Sequence, residues 1–358
     1  MNPSALIPAP DVLPAPWGLF TFLLLLTFTV HLLLANIMLG GLAVSWFNSL
    51  KRRRQSLPPP SGQLLARRLT WVIALAINFG VAPLLFLQVA YGQFIYVSTV
   101  LMAVYWVSIV LITIVAYYLA YLYDLKYQHW DAARPWLSGI AAFLFAVVGY
   151  FFTNSLVLMI NPVQWPSYFQ HPWGMLLPSL DPSLLPRYLH FLASSLAIGG
   201  LAVALWGWYR RRRGEADGQA LLVQGTNWYG VFTVLNFVVG AWYLAALPEP
   251  VLGAVVASRL ALLLLMLAVV CALASVPAAL GRHAPLAAGC ALAAVVLMVL
   301  LRHLVRSAYL SPYLQTEHIP VQTQYSPVLL FVAVAVLGVA LVVYLLKVAR
   351  AAGKEVGA

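Results

Sequence analysis

Residues 17–48 read WGLFTFLLLLTFTVHLLLANIMLGGLAVSWFN and contain no lysine, arginine, aspartate or glutamate. A helix rises about 1.5 Å per residue, so this segment is long enough to cross the roughly 30 Å of hydrocarbon in a bilayer. A single titratable side chain that ionises near neutral pH, His31, interrupts the apolar run. The segment therefore predicts a transmembrane helix that carries a histidine inside the membrane.

The rest of the chain has the same apolar character. Its 358 residues are 63% hydrophobic and 8% charged, whereas about a quarter of the residues in a soluble domain are charged. Eight further segments have the length and hydropathy of membrane spans, at about 69–92, 98–122, 137–160, 187–209, 226–247, 254–278, 285–305 and 327–347. We therefore predict an all-α fold, in which residues 1–358 form a single transmembrane domain, a polytopic bundle of nine helices in a lipid bilayer.

The basic residues predict how the chain is oriented. If the N-terminus lies outside, 16 of the 20 lysine and arginine residues fall in connections on the inner side. The four that fall on the outer side are Arg187, Arg259, Arg302 and Arg306. The positive-inside rule then predicts an outside N-terminus and an inside C-terminus. Because the basic clusters have this topological role, the net charge of +11 is not a sign of nucleic-acid binding.

The two cysteines argue against several kinds of metal and redox centre. Cys271 and Cys290 both lie in apolar segments, and neither belongs to a CxxC pair. The sequence therefore offers no framework for a structural disulfide, a zinc site, an iron–sulfur cluster or a covalently attached c-type haem.

Three histidines, His31, His190 and His303, lie inside predicted spans, whereas none of the nine acidic residues does. A titratable group is costly in hydrocarbon, so its presence there indicates a function. Imidazole is the most common protein ligand of metals, and it also ligates haem iron. Counting from the ends of the spans places all three histidines toward the outer side. We predict that at least two of them ligate haem iron; the alternative is that they form hydrogen bonds between helices.

Short motifs around these histidines follow one another in a particular order. They are HLLLANIMLG at 31–40, INF at 77–79, TNS at 153–155, NPV at 161–163, and a fifth-span segment that begins RYLHFLAS at 187–194 and ends WY at 208–209. These motifs and their order resemble those of subunit I of the cytochrome bd quinol oxidases. That family also has nine spans and an outside N-terminus. The resemblance covers residues 17–210, and its four-helix part corresponds to about 17–160, followed by further helices over 187–347.

The resemblance implies roles for two of the histidines. His190 corresponds to the ligand of the haem nearest the electron donor, and His31 to the ligand of a haem in a second, buried site. In the family, the partner of the first ligand is a methionine two residues after an arginine of the seventh span. Arg259 lacks that methionine, and Met266, two turns further in, is a weak substitute.

The eighth span departs from the family in another way. The family has there a glutamate ligand followed three residues later by an arginine, whereas this chain has His303 and Arg306 at that spacing. A histidine is thus expected to replace the carboxylate ligand. Arg259, Arg302 and Arg306 are candidates to neutralise haem propionates, although arginines also snorkel at membrane interfaces without any cofactor.

Two further departures concern the oxidase chemistry. The family's third helix carries two glutamates that serve oxygen reduction and its proton supply, whereas residues 100–122 contain no acidic residue. The family's long outer loop associated with quinol oxidation is reduced to about residues 247–253. The sequence therefore predicts a scaffold that resembles the oxidase without its oxygen-reducing chemistry.

Together these features predict a b-type haem electron-transfer subunit of a bacterial inner membrane. Two haems b are expected, and a quinone is a further candidate ligand, with Asn36, Asn78, Gln88 and Gln93 as polar contacts. Electrons are expected to pass between the quinone pool and a periplasmic or extracellular redox subunit, such as a multihaem c-type cytochrome or an iron–sulfur protein. That partner would dock on the outer connections 161–186 and 306–326, whose His171 and His318 are minor ligand candidates. Two alternatives stay open: a bd-type terminal quinol oxidase subunit I, and a haem-free membrane transporter.

Overall fold

The structure, a computed structural model, describes residues 3–53, 61–178, 181–316 and 319–355. Helices dominate these ranges. They are α1 (Trp17–Arg53), α2 (Ser61–Leu101), α3 (Ala103–Leu125), α4 (Arg134–Ile160), α5 (Leu184–Arg212), α6 (Gly218–Ala245), α7 (Glu249–Ala257), α8 (Arg259–Leu280), α9 (Ala284–Leu310) and α10 (Tyr325–Glu355). Two 3₁₀ segments, Pro3–Leu6 and Pro162–Gln170, lie outside the long helices.

Within the described ranges, every helix except α7 is long and apolar enough to cross a membrane, which makes nine spans. The predicted all-α, nine-span membrane bundle is therefore confirmed. Its orientation across the membrane stays a prediction. The end of the bundle that carries the α4–α5 and α9–α10 connections is called the capped end below, and the opposite end is called the basic end.

The predicted seventh span, 254–278, begins five residues too early. The structure ends α7 at Ala257 and begins α8 at Arg259. Ser258 between them is extended, and its Oγ accepts a hydrogen bond from the Ala261 N–H at 3.2 Å. This bond satisfies one of the free N–H donors at the start of a helix. A polar cap therefore divides an apolar run that looks continuous in the sequence.

The boundary between the second and third predicted spans is also displaced. α2 continues for 41 residues to Leu101, and Met102 alone separates it from α3. A kink occurs at Tyr91, whose φ of −136° and ψ of 32° are not helical. At the other end, α3 continues to Leu125 and includes Asp124 in its last turn. A span predicted to lack acidic residues therefore has one carboxylate close to the basic end.

Glycines bring α5 into close contact with both α1 and α6. A Cβ on Gly40 of α1 would overlap the backbone carbonyl of Ser195, and a Cβ on Gly199 of α5 would overlap the backbone of Gly40. On the other side, a Cβ on Gly200 would lie 2.6 Å from the Cβ of Trp228 in α6. Small residues at such crossings let membrane helices approach closely and gain dispersion contacts. The helix that carries His190 is therefore held between two neighbours.

Two hydrogen bonds between side chains join the same three helices. The Ser195 hydroxyl donates to Oδ1 of Asn36 in α1 at 2.8 Å, and Nδ2 of Asn236 in α6 donates to Oγ of Ser194 at 2.8 Å. Adjacent residues of α5 thus bond to opposite neighbours. These bonds fix the rotation of α5 about its own axis, and with it the direction in which the His190 side chain leaves the helix.

The described residues of the α4–α5 connection, 161–178 and 181–183, form a hydrogen-bonded cap on the bundle. The Asp181 carboxylate, 8% exposed, accepts hydrogen bonds from the Ser183 N–H at 2.9 Å and from the Ser183 hydroxyl at 2.7 Å. It also accepts from the amides of Asn161 at 3.2 Å and Gln164 at 3.1 Å. Trp165 is buried beneath this network, and its Nε1 donates to the Leu158 carbonyl at 2.8 Å. One carboxylate therefore links the start of the described connection to the residues just before α5.

The last helix stands apart from the bundle. Nearly all side chains described for α10 are exposed, and the span Tyr325–Ala349 buries none of its most apolar window. The preceding segment is attached, because the Leu13 N–H donates to the Pro320 carbonyl and the Gln322 N–H donates to the Leu13 carbonyl, both at 2.9 Å. The hydrogen bonds described for this region are therefore made by the segment that precedes α10, whereas α10 itself is exposed.

Candidate functional site

His190 lies in the second turn of α5, near the capped end, with its imidazole against α6. A Cβ on Gly240 of α6 would lie 3.2 Å from Cε1 and 3.4 Å from Nδ1 of the ring. The ring therefore occupies space that only glycine leaves free at this position. The Nδ1 atom is buried, and the backbone carbonyl of Asn236 in α6 lies within hydrogen-bonding reach of the ring, an arrangement common among metal-ligating histidines.

Arg187 lies one turn closer to the capped end on the same face of α5. Its guanidinium is 5.2 Å from the ring centre of Tyr243 in α6 and 5.9 Å from that of Tyr309 in α9. Its Nε and Nη2 atoms are buried without hydrogen-bond partners. The guanidinium thus meets aromatic faces, while part of its donor capacity is unused.

His303 on α9 also has an arginine one turn closer to the capped end, although α9 runs in the opposite direction to α5. Its Nδ1 is buried without a hydrogen-bond partner among the described residues, and this arginine is Arg306. Arg306 is 6% exposed, its Nη1 has no partner, and its guanidinium lies 5.0 Å from the ring centre of Tyr91 at the kink of α2. Arg302, on the preceding turn, lies 4.6 Å from the ring centre of Phe28 in α1.

Arg187, Arg302 and Arg306 form what is called the arginine cluster below. The charges of Arg306 and Arg187 both act on Arg302, which shows that the three lie close together. Among the described residues, the ion pairs that the structure contains involve Arg134 and Arg210 at the basic end, and none involves the cluster. Like charges in a medium of low dielectric constant repel strongly. The cluster is therefore suited to a bound anion.

His31 has different surroundings, close to the midpoint of α1. Its Nδ1 lies 3.0 Å from the Ala76 carbonyl of α2. Since a carbonyl can only accept, Nδ1 carries the proton and the lone pair of a neutral ring is on Nε2, an arrangement common in metal-ligating histidines. A Cβ on Gly80 would lie 2.8 Å from Cε1, so glycine again makes room for an imidazole.

The structure does not gather the three imidazoles into one site. Across the described ranges, no group of three or more histidine, cysteine, aspartate or glutamate side chains is placed to hold a metal ion. His31 contacts α2, His190 contacts α6, and His303 has Arg306 as its neighbour. Separate surroundings fit a cofactor that brings most of the iron ligands itself, as haem does with its four ring nitrogens.

One arginine of the predicted set lies apart from the other two. Arg259 is exposed at the first residue of α8 and is not part of the arginine cluster. Arg187 joins the cluster instead, although the sequence identified it only as an outer basic residue. Met266, the substitute for the missing methionine ligand, is 66% exposed on α8, so its thioether faces away from the bundle. His171 is exposed in the cap, and His318 lies outside the described residues.

The four amides predicted as polar contacts of a quinone have different surroundings. Asn36 is 1% exposed and bonds to Ser195, so it serves a contact between helices. Asn78 is exposed on the outer face of α2 and donates to the Ala74 carbonyl of its own helix at 2.7 Å. Gln88 is half-buried, and Gln93 lines a cleft beside the kink of α2.

The geometry defines a polytopic membrane bundle with imidazoles and an uncompensated arginine cluster near its capped end. Its fold is similar to that of a chain in the structure of bd oxidase from Geobacillus thermodenitrificans, with a TM-score of 0.72. The similarity covers 92% of this chain and 96% of that chain, at 15% sequence identity. The fold that the motifs implied is thereby confirmed. The sequence matches no protein-family profile and no curated protein.

Proposed function

We propose that this membrane protein is a distant relative of bd oxidase subunit I that works as a b-type haem electron-transfer subunit in a bacterial inner membrane. It carries two haems b and exchanges electrons between the quinone pool and a redox subunit on the capped side. The fold supports the relationship, since a chain of bd oxidase has the same helical arrangement over nearly its whole length.

One observation carries the proposal. Two imidazoles with a buried Nδ1 atom, those of His190 and His303, each have, within the described ranges, an arginine without an ion-pair partner one turn closer to the capped end: Arg187 for His190 and Arg306 for His303. Haem complements this pattern. It contains an iron that imidazole ligates, and it carries two carboxylates on one edge of its ring. The donors present therefore fit the group.

The protein's residues have separate tasks around such a group, which itself supplies a reversible one-electron iron centre. His190, His303 and His31 would supply imidazole nitrogens to its iron, and the two glycines beside His190 and His31 leave space for the imidazole rings. The arginine cluster would offset the charge of the group's carboxylates, which are expensive to bury without a partner. The surrounding apolar helices exclude water and so help set the reduction potential.

The composition of α3 favours electron transfer over oxygen reduction. The helix carries Tyr105, Trp106 and Ser108 in its first turns, and its carboxylate, Asp124, lies at the basic end, far from the imidazoles. A terminal oxidase must deliver protons to reduced oxygen. The bd-type oxidase remains the second candidate because the fold favours it, and oxygen consumption with a haem d spectrum is the outcome that would select it.

A pyridine haemochrome assay and a reduced-minus-oxidised spectrum of the purified protein test the proposal. We expect two haems b per chain. His190→Ala and His303→Ala are each expected to remove or alter one haem signal, whereas His283→Ala, at an exposed position of the basic end, serves as the matched control. Absence of haem would refute the proposal and favour a transporter. One haem per chain would keep the cytochrome and make one of the histidines structural.

A redox partner is proposed on the capped side because the candidate site lies toward that end of the bundle. The arginine cluster and two of the three imidazoles lie near the capped end, whose ordered connection presents exposed Phe169, Trp173 and Met175. We therefore expect a multihaem c-type cytochrome or an iron–sulfur protein docked there. Crosslinking in native membranes tests this arrangement: a redox subunit attached only to the basic end contradicts it.

A further inference from the structure

At the basic end, α5 carries guanidinium groups that lie on aromatic rings of the same helix. The helix ends in WGWYRRR at 206–212, and Arg213 follows. The guanidinium of Arg212 lies 4.3 Å from the ring centre of Trp208, and that of Arg213 lies 4.8 Å from the ring centre of Tyr209. An arginine at this distance from a ring gains a cation–π contact. Both guanidinium groups therefore have preferred positions on the surface of α5.

The acidic residues that follow α5 do not neutralise these two arginines. Glu215 and Asp217 both bind Arg210, each at 2.7 Å. Arg212 and Arg213 are exposed, and the ion pairs of the described ranges do not include them. Their positive charge is therefore available to an anion from outside the chain.

A third arginine lies at the same end of the bundle, in the turn between α8 and α9. Arg282 has a φ of 64°, a left-handed conformation that a residue other than glycine adopts at a cost. Its Nη1 donates to the Thr226 hydroxyl and, at 3.1 Å, to Oδ1 of Asn227, both in α6. Within the described residues, the hydrogen bonds of Arg282 all come from Nη1. Its Nε and Nη2 can therefore donate to a further acceptor.

Trp208 connects these two basic elements. Its ring packs against a buried apolar cluster that includes Ala284, the first residue of α9. Ala284 is two residues after Arg282 in the sequence. The ring that carries the Arg212 guanidinium therefore lies beside the turn that carries Arg282.

Apolar side chains beside this turn are exposed toward the membrane. Leu280, at the end of α8, is 54% exposed, and Leu286, in the first turn of α9, is 60% exposed. Arginines next to exposed leucines match the two parts of a phospholipid, its phosphate and its acyl chains. A topological role requires only positive charge at this end. It explains neither the ring beneath Arg212 nor the costly backbone of Arg282.

We propose that the surface formed by Arg212, Trp208 and Arg282 binds the head group of an anionic phospholipid. The phosphate accepts charge-assisted hydrogen bonds from the two guanidinium groups, and the acyl chains lie along Leu280 and Leu286. A zwitterionic lipid binds less well, because its own ammonium group competes with arginine for the phosphate. This site is at the opposite end of the bundle from the arginine cluster, and it does not depend on haem.

Native mass spectrometry of the purified full-length protein in detergent tests the proposal. Phosphatidylglycerol is the anionic probe and phosphatidylcholine the zwitterionic one, and a titration gives the dissociation constant of the first bound lipid. We expect tighter binding of phosphatidylglycerol. Arg212→Gln and Arg282→Gly should each weaken it about fivefold, the effect of about 1 kcal/mol for one arginine near an anionic lipid. Glycine keeps the turn, because it adopts positive φ without strain.

Arg68→Gln is the matched control, since it removes one exposed positive charge from the same end of the bundle. Its affinity for phosphatidylglycerol should equal that of the unchanged protein. Equal losses in all three variants, unchanged affinity in all three, or equal affinity for the two lipids overturns the proposal. Displacement of the lipid by millimolar inorganic phosphate would indicate a site for a soluble anion and overturn the lipid assignment. If Arg282→Gly fails to fold, Arg212→Gln alone decides between these outcomes.

Discussion

Gly240→Ala tests whether His190 is a haem ligand, without touching the histidine. The added Cβ would lie 3.2 Å from Cε1 and 3.4 Å from Nδ1, a few tenths of an ångström inside ordinary van der Waals contact. Overpacking of this kind costs about 1–3 kcal/mol. If the ring must keep one position to ligate iron, haem retention weakens by about 5- to 140-fold, at about 1.4 kcal/mol per factor of ten.

The expected loss cannot be attributed to a weaker helix, because alanine stabilises a helix relative to glycine by about 1 kcal/mol. Haem per protein is measured by pyridine haemochrome, with the difference spectrum and size-exclusion profile recorded alongside. Gly289→Ala is the control, since a Cβ there meets nothing within 4 Å. Gly240→Val should have a larger effect. If the folded valine variant keeps full haem content and an unchanged spectrum, His190 is not a ligand.

Further perturbations have equally definite outcomes. Gly80→Ala should disturb the haem signal assigned to the histidine of α1, since its Cβ would lie 2.8 Å from that ring, and a normal difference spectrum would contradict the assignment. Arg306→Leu should lower the haem reduction potential in a redox titration, because it removes a buried positive charge, whereas Arg259→Leu at an exposed site should not. Gly199→Val should prevent α1 and α5 from packing and lower the melting temperature; an unchanged melting curve would refute that contact. A cysteine placed at His171, after replacement of both native cysteines, should react with impermeant maleimide from outside the cell, and protection there would reverse the predicted orientation.

Much of the site can be predicted from helical spacing. Residues three apart lie on one face of a helix, so the pairs Arg187–His190 and His303–Arg306 predict an imidazole with an arginine one turn away. The aromatic partners cannot be predicted in this way. Tyr91 reaches Arg306 only because α2 kinks, and no proline or charge beside Tyr91 marks that position. The cleft at the kink also depends on the N-terminal segment that closes it.

The sequence by itself determined the class of fold, because spanning a bilayer is a local requirement. Each segment must be apolar over a length set by membrane thickness, and that condition can be read without knowledge of its neighbours. Tertiary structure decided which side chains meet. The rotation and tilt of each helix depend on contacts such as Gly40 with Gly199, which are distant in the sequence. Those contacts bring Arg187 to the cluster and leave Arg259 exposed, because helix rotation follows the packing of all neighbours together rather than the pattern of any one segment.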